Sequence, residues 1–155
     1  MRHLPKLTII AACDRVIFDR VGIASLINIF QRLEIAASPT AYPAEAVSPI
    51  RWSVFTQWHH QPVAPGTPYT QHAEVLKPNG EVFIETRLPF LTDDNPYTRH
   101  QLEIMGLPLG HEGTVTVRVW LDGLPDSMGE YYIDLKYTKT EPQKEEAAVI
   151  INEQE

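Results

Sequence analysis

The feature that most constrains this chain is a repeated alternation of apolar and polar residues with period two. The clearest case is GTVTVRVWLDG, where Val115, Val117, Val119 and Leu121 alternate with Thr114, Thr116, Arg118 and Trp120. Successive strand side chains point to opposite faces, so this pattern specifies a strand with one face buried. RWSVFTQWH repeats it, with Trp52, Val54 and Trp58 opposite Arg51, Ser53, Gln57 and His59. EVFIETRLPF sets Val82, Ile84, Leu88 and Phe90 on one side. GEYYIDLKYT sets Tyr131, Ile133, Leu135 and Tyr137 against Tyr132, Asp134 and Lys136. Half-apolar strands belong to antiparallel sheets.

Turn chemistry separates these runs. PVAPGTP, KPNGE, TDDNP, LPLGHEG and DGLPDSMG fall between them, and the 13 prolines and 8 glycines are spread as punctuation rather than gathered in a linker. Strands at this spacing predict an all-β fold, an antiparallel β-sandwich of about eight strands. With 155 residues the chain suits one domain, assigned to residues 1–140, followed by an acidic C-terminal tail over 141–155. The loop AASPTAYPAEAVSP (36–49) is expected to wrap across one end of a sheet. The tail reads as a solvated segment, a short helix, or a strand formed by AVII.

One stretch fits two templates. In VGIASLINIFQRLEI, Leu26, Ile29, Phe30 and Leu33 have helical spacing, while Ile27, Ile29, Leu33 and Ile35 alternate as in a strand. Its strand-rich neighbours favour a second strand over 24–35, with Ile27, Ile29, Leu33 and Ile35 inward. Together ACDRVIFDRVGIASLINIF, PIRWSVFTQW, YTQHAEVLKPNGE and GLPLGHEGTVTVRVWLDG resemble an uncharacterised bacterial family of small β-rich proteins, across Leu7 to Tyr137. Asn79 stands where that family's hairpin more often has Asp. The resemblance implies a β-sandwich and supports the strand reading of 24–35; it supplies no catalytic residues.

The net charge of −7 excludes one class of partner. Residues 141–155 hold five Glu and one Lys, which leaves a mildly acidic body without a basic stripe. Nucleic acid is therefore not expected, because phosphate contacts need clustered Lys and Arg. A single cysteine, Cys13, excludes an internal disulfide. IAAC resembles a lipoprotein processing box, but the apolar run before it is short and crowded by Pro5 and Lys6. Cys13 reads instead as the buried end of a first strand. No apolar stretch approaches the length of a membrane span, so membrane is not expected and a cytoplasmic location is.

Catalytic patterns are missing: there is no G-x-S-x-G elbow, no phosphate-cradling glycine loop, and no HExxH spacing among six histidines. His59 and His60 are adjacent and point to opposite faces of a strand. No enzyme activity and no cofactor are expected. In the hairpin YTQHAEVLKPNGEVFIETRLPF, a turn at Pro78-Asn79-Gly80 pairs Val75 with Val82 and Ala73 with Ile84. His72, Glu74, Glu85 and Arg87 then share the outer face. His72, Glu74 and Glu85 make an alternative metal-binding set, against a plain charge network compensated by Arg87. The preferred site is a binding surface on the last two strands, Arg118, Trp120, Tyr132 and Lys136, since Trp and Tyr on a solvated face are interface anchors. The competing reading has the 36–49 loop or the tail covering Trp120. The expected role is a non-catalytic binding or assembly module that takes a protein partner or self-associates. The alternatives are a metal-binding protein or metal-dependent enzyme, and an accessory protein whose tail adds an element to a partner.

Overall fold

The computed structural model describes residues 3–38 and 41–138. It is all-β. Nine strands run in chain order: β1 Lys6–Phe18, β2 Ala24–Ile29, β3 Arg32–Ile35, β4 Val47–His59, β5 Pro68–Leu76, β6 Val82–Leu91, β7 Tyr97–Pro108, β8 Gly113–Leu121 and β9 Leu124–Tyr137. They form two facing sheets, a four-stranded one ordered β2-β1-β4-β7 and a five-stranded one ordered β3-β9-β8-β5-β6. All pairings are antiparallel except β3 with β9, which is parallel. The tail over 141–155 lies outside the described residues.

The alternation fixes which faces meet. Trp52, Val54 and Trp58 from β4 face Val115, Val117, Val119 and Leu121 from β8, and each is 1% exposed or less. Ile133, Leu135 and Tyr137 complete the core from β9 as the period-two reading requires. Trp52 also anchors the backbone: its indole N–H donates to the Gly106 carbonyl at 2.7 Å.

Three expectations are corrected. Residues 24–35 are not one strand but two, in different sheets. β2 ends at Ile29 after Asn28, which has φ of 52°, and the chain crosses at Phe30 to begin β3. Phe30 enters the core with its ring 6.0 Å from Trp52, edge-on, while its amide still bonds the Ala12 carbonyl of the first sheet. The Gln31 carbonyl accepts from Asp134 of the second sheet. Leu33 and Ile35 face inward as expected, whereas Ile29 is 56% exposed. The β5–β6 register also differs: Leu76 faces Val82, because the turn bonds Lys77 to Glu81, and Val75 faces Ile84, because a bulge follows it. Finally, the first strand does not end at Cys13 but runs on to Phe18.

That continuation shapes the first sheet. Beyond Cys13 the β1–β2 hairpin leaves β4 and curls over the sheet's outer surface. Val16, Leu26 and Ala24 there cover Cys13 and Phe55, and Phe18 lies 6.5 Å from the Phe55 ring. Arg99 of β7 reaches the hairpin tip, donating from Nη1 to the Gly22 carbonyl at 3.4 Å. The tip is set by Asp19, whose carboxylate accepts from the amides of Val21 (2.9 Å) and Ile23 (2.8 Å).

Candidate functional site

The outer face of the five-stranded sheet carries every residue of the expected binding surface, but not as one patch. Arg118 and Trp120 lie on β8, Tyr132 and Lys136 on β9. Lys136 stands eight residues along β9 from Met128, beside the Trp120 end, a separation of roughly 26 Å at strand rise. Trp120 is partly buried. His72 of β5 stacks on it, with ring centroids 5.0 Å apart and planes at 19°. Tyr132 on that face is 52% exposed and Met128, beside Trp120, is 45% exposed.

Several polar groups of this face bind one another. Arg118 Nε donates to Glu130 at 2.9 Å, and its Nη1 lies 4.0 Å from Glu74. Tyr132 donates its hydroxyl proton to the second oxygen of Glu130. These bonds, Tyr132 first and Arg118 second, hold the Glu130 carboxyl below its ordinary range, and the same contact raises the Tyr132 phenol. The alternative metal set does not converge on one point, because His72 is directed away from its two carboxylates. Glu74 and Glu85 sit directly opposite on β5 and β6, and His72 is opposite Arg87 and turned toward Asp122 at 3.4 Å. Among the described residues no group of three or more His, Cys, Asp or Glu could hold a metal ion. The face is an ion-pair and hydrogen-bond network of mixed sign.

A second surface was not singled out by sequence reasoning. The β1–β2 hairpin turns Val16, Ala24 and Leu26 toward the sheet, with Phe18 near the Phe55 ring but still 44% exposed, and the alternate side chains face away. Ile17 (47% exposed), Ile29 (56%), and Val21 (79%) and Ile23 (60%) at the tip are the apolar groups it presents. β2 is also an edge of the sheet, with one side of its backbone unpaired by any described strand. The sequence signal was present: apolar residues on both faces of a short hairpin require two coverings. The fold supplies one.

No family model and no curated protein matches this chain. Solved structures do resemble it. The CARDB domain of a Pyrococcus furiosus protein, solved in complex with di-metal ions, is 7% identical, with 89% of this chain and 99% of that one covered at a TM-score of 0.45. An immunoglobulin-like protein from Pseudomonas aeruginosa is 13% identical, with 85% and 96% covered at a TM-score of 0.40. Likeness at this level carries nothing about ligand, metal or partner. Among the described residues no helix is long and apolar enough to cross a membrane.

Proposed function

We propose that this protein is a non-catalytic binding module that self-associates through the β1–β2 hairpin. The observation that carries this reading is that Ile17, Val21, Ile23 and Ile29 are exposed by 47–79% along one edge hairpin. Several large apolar side chains exposed on one short element are typical of an interface. An edge strand with a free backbone side adds a template for pairing. A second copy is the economical partner, because an isologous contact uses the same patch twice. The face around Trp120 supports this choice by contrast, since Trp120 is stacked on His72 and Arg118, Glu130 and Tyr132 bind one another. Buried Cys13, without a disulfide partner, supports a cytoplasmic setting. Membership of the bacterial β-rich family that the motifs resemble belongs to the same proposal.

The test is sedimentation velocity over a range of concentrations, on the wild-type chain and on Val21→Glu/Ile23→Glu. The expected result is reversible association of the wild type, weakened at least about tenfold in the variant, or about 1.4 kcal/mol. A wild type that stays monomeric throughout, or a variant that associates equally well, refutes it.

A further inference from the structure

Past β8 the chain turns at Asp122, whose amide donates to the Thr70 carbonyl at 2.9 Å and pins the β8–β9 turn beside the start of β5. An open cavity of 620 Å³ lies at this end of the sandwich. Leu4, Pro62, Val63, Pro68 and Leu124 form its apolar wall, from the segment before β1, the β4–β5 connection and the starts of β5 and β9. Leu4 is 46% exposed there. His3, Tyr69, Thr70 and Asp122 complete the lining; among these described residues Asp122 is the one carboxylate, and none is Lys or Arg.

The Asp122 carboxylate accepts no hydrogen bond from any described residue, and its side chain is 70% exposed. Against it stands His72, whose side chain is only 7% exposed, with Nε2 at 3.4 Å from Asp122 Oδ1. That nitrogen is buried without a hydrogen-bond partner. An N–H at Nε2 is not aligned on Oδ1, and a bare Nε2 faces a second acceptor, so neither tautomer closes the pair. Stacking on Trp120, with centroids 5.0 Å apart, holds the ring plane in that position. Buried polar groups are nearly always paired. Here an unpaired nitrogen stands against an uncompensated carboxylate at the rim of an apolar cavity. What the rim lacks is a cationic donor.

We infer that the cavity binds a small organic ammonium ion, its charged nitrogen on Asp122 and its apolar body against the wall from Leu4 to Leu124. The volume suits such a ligand, since small-molecule sites run from roughly 300 to 1,000 Å³ and set few polar groups in an apolar wall. A metal ion is not the occupant, because no group of three or more His, Cys, Asp or Glu among the described residues could hold one. An anion would meet Asp122 with like charge.

The test is an amide NMR titration of the full-length protein with benzylammonium, benzyl alcohol and benzoate, which share one ring and differ in charge. Benzylammonium is expected to give saturable shifts at the Val63, Thr70, Asp122 and Leu124 amides, with Kd on the order of millimolar for so small a ligand. The β5–β6 turn at 77–81 should not move. Asp122→Asn keeps the shape and removes the charge. It should weaken benzylammonium binding by about three- to fivefold, the size of an exposed ion pair, while benzyl alcohol binds both proteins alike. Benzylammonium shifts that never saturate overturn the inference. So does equal benzylammonium binding by Asp122→Asn, or benzoate binding as tight as that of benzylammonium. The Val21→Glu/Ile23→Glu protein should bind benzylammonium as the wild type does, so this inference and hairpin self-association fail separately.

Discussion

His100 should make this protein sensitive to mild acid. It lies on the inner side of β7, in register with Thr56, with the Phe90 ring edge-on at 4.8 Å. Its Nε2 is buried without a hydrogen-bond partner. The nearby polar acceptor is taken, because Gln71 Oε1 accepts from the Thr56 hydroxyl at 2.8 Å and from the Trp58 indole at 2.6 Å. Burial pushes the His100 pKa from its ordinary 6.5 down to about 4. Between those two values the unfolded chain holds a proton that the folded chain does not. Stability is therefore complete above pH 6.5, falls as the pH drops toward about 4, and changes no further through this group below it. At about 1.4 kcal/mol per pH unit the ceiling is about 3 kcal/mol. The ring keeps some solvent contact, and screening lowers the expected loss to about 1–2 kcal/mol. Urea unfolding of wild type and His100→Leu from pH 7.5 to 4.5 measures it. The carboxylates and His60 are common to both proteins, so the difference between the two curves reports His100. That difference should shift in favour of the leucine variant by the stated amount as pH falls. Parallel curves would refute the assignment.

Phe30→Ala should cost about 2–3 kcal/mol, since this ring bridges the sheets against Trp52; a loss below about 0.5 kcal/mol in denaturant unfolding would show that the crossing does not depend on it. Gly106→Ala should cost about 1–2 kcal/mol from the left-handed conformation alone, because φ is +93°. A further cost arises because the new Cβ would fall 2.2 Å from Val47 Cγ1. Adding Val47→Ala should recover the steric part and not the conformational part, which unfolding of the single and double variants separates. Trp120→Ala should cost about 1 kcal/mol by unstacking His72 and leave the sedimentation profile unchanged. A loss of association there would move the interface to the polar face.

The strands with one wet face were legible because their pattern has a single solution. Val115, Val117, Val119 and Leu121 alternate without interruption, and each ends fully buried. Residues 24–35 were harder for a physical reason: the segment serves two sheets. Within β2 the inward set is Ala24 and Leu26, and beyond the crossing it is Leu33 and Ile35, so the phase changes at Asn28–Gln31. A helical template and a strand template each match part of such a segment. The β5–β6 register was missed by two residues: the turn bonds the Lys77 amide to the Glu81 carbonyl, which adds one, and the bulge after Val75, invisible to alternation, adds the other. The stacking of His72 on Trp120 was also hidden, since it depends on which strand lies beside β8, and β5 reaches that place across the sequence.

The candidate site moved for a related reason. Sequence reasoning ranks an exposed surface by finding aromatic residues on a polar face, which selects Trp120 and Tyr132. It assumes that apolar residues on a strand face belong to the core. The β1–β2 hairpin breaks that assumption, because Val16 and Leu26 use the available sheet surface and leave Ile17, Ile29, the tip residues and much of Phe18 outside. A short edge hairpin can reach one layer of the sandwich and no more. Its second apolar face therefore calls for a surface that the described chain does not provide, while the polar face around Arg118, Glu130 and Glu74 already meets its own needs. The two faces differ in what they lack, and the lack is what separates an interface from a solvated sheet.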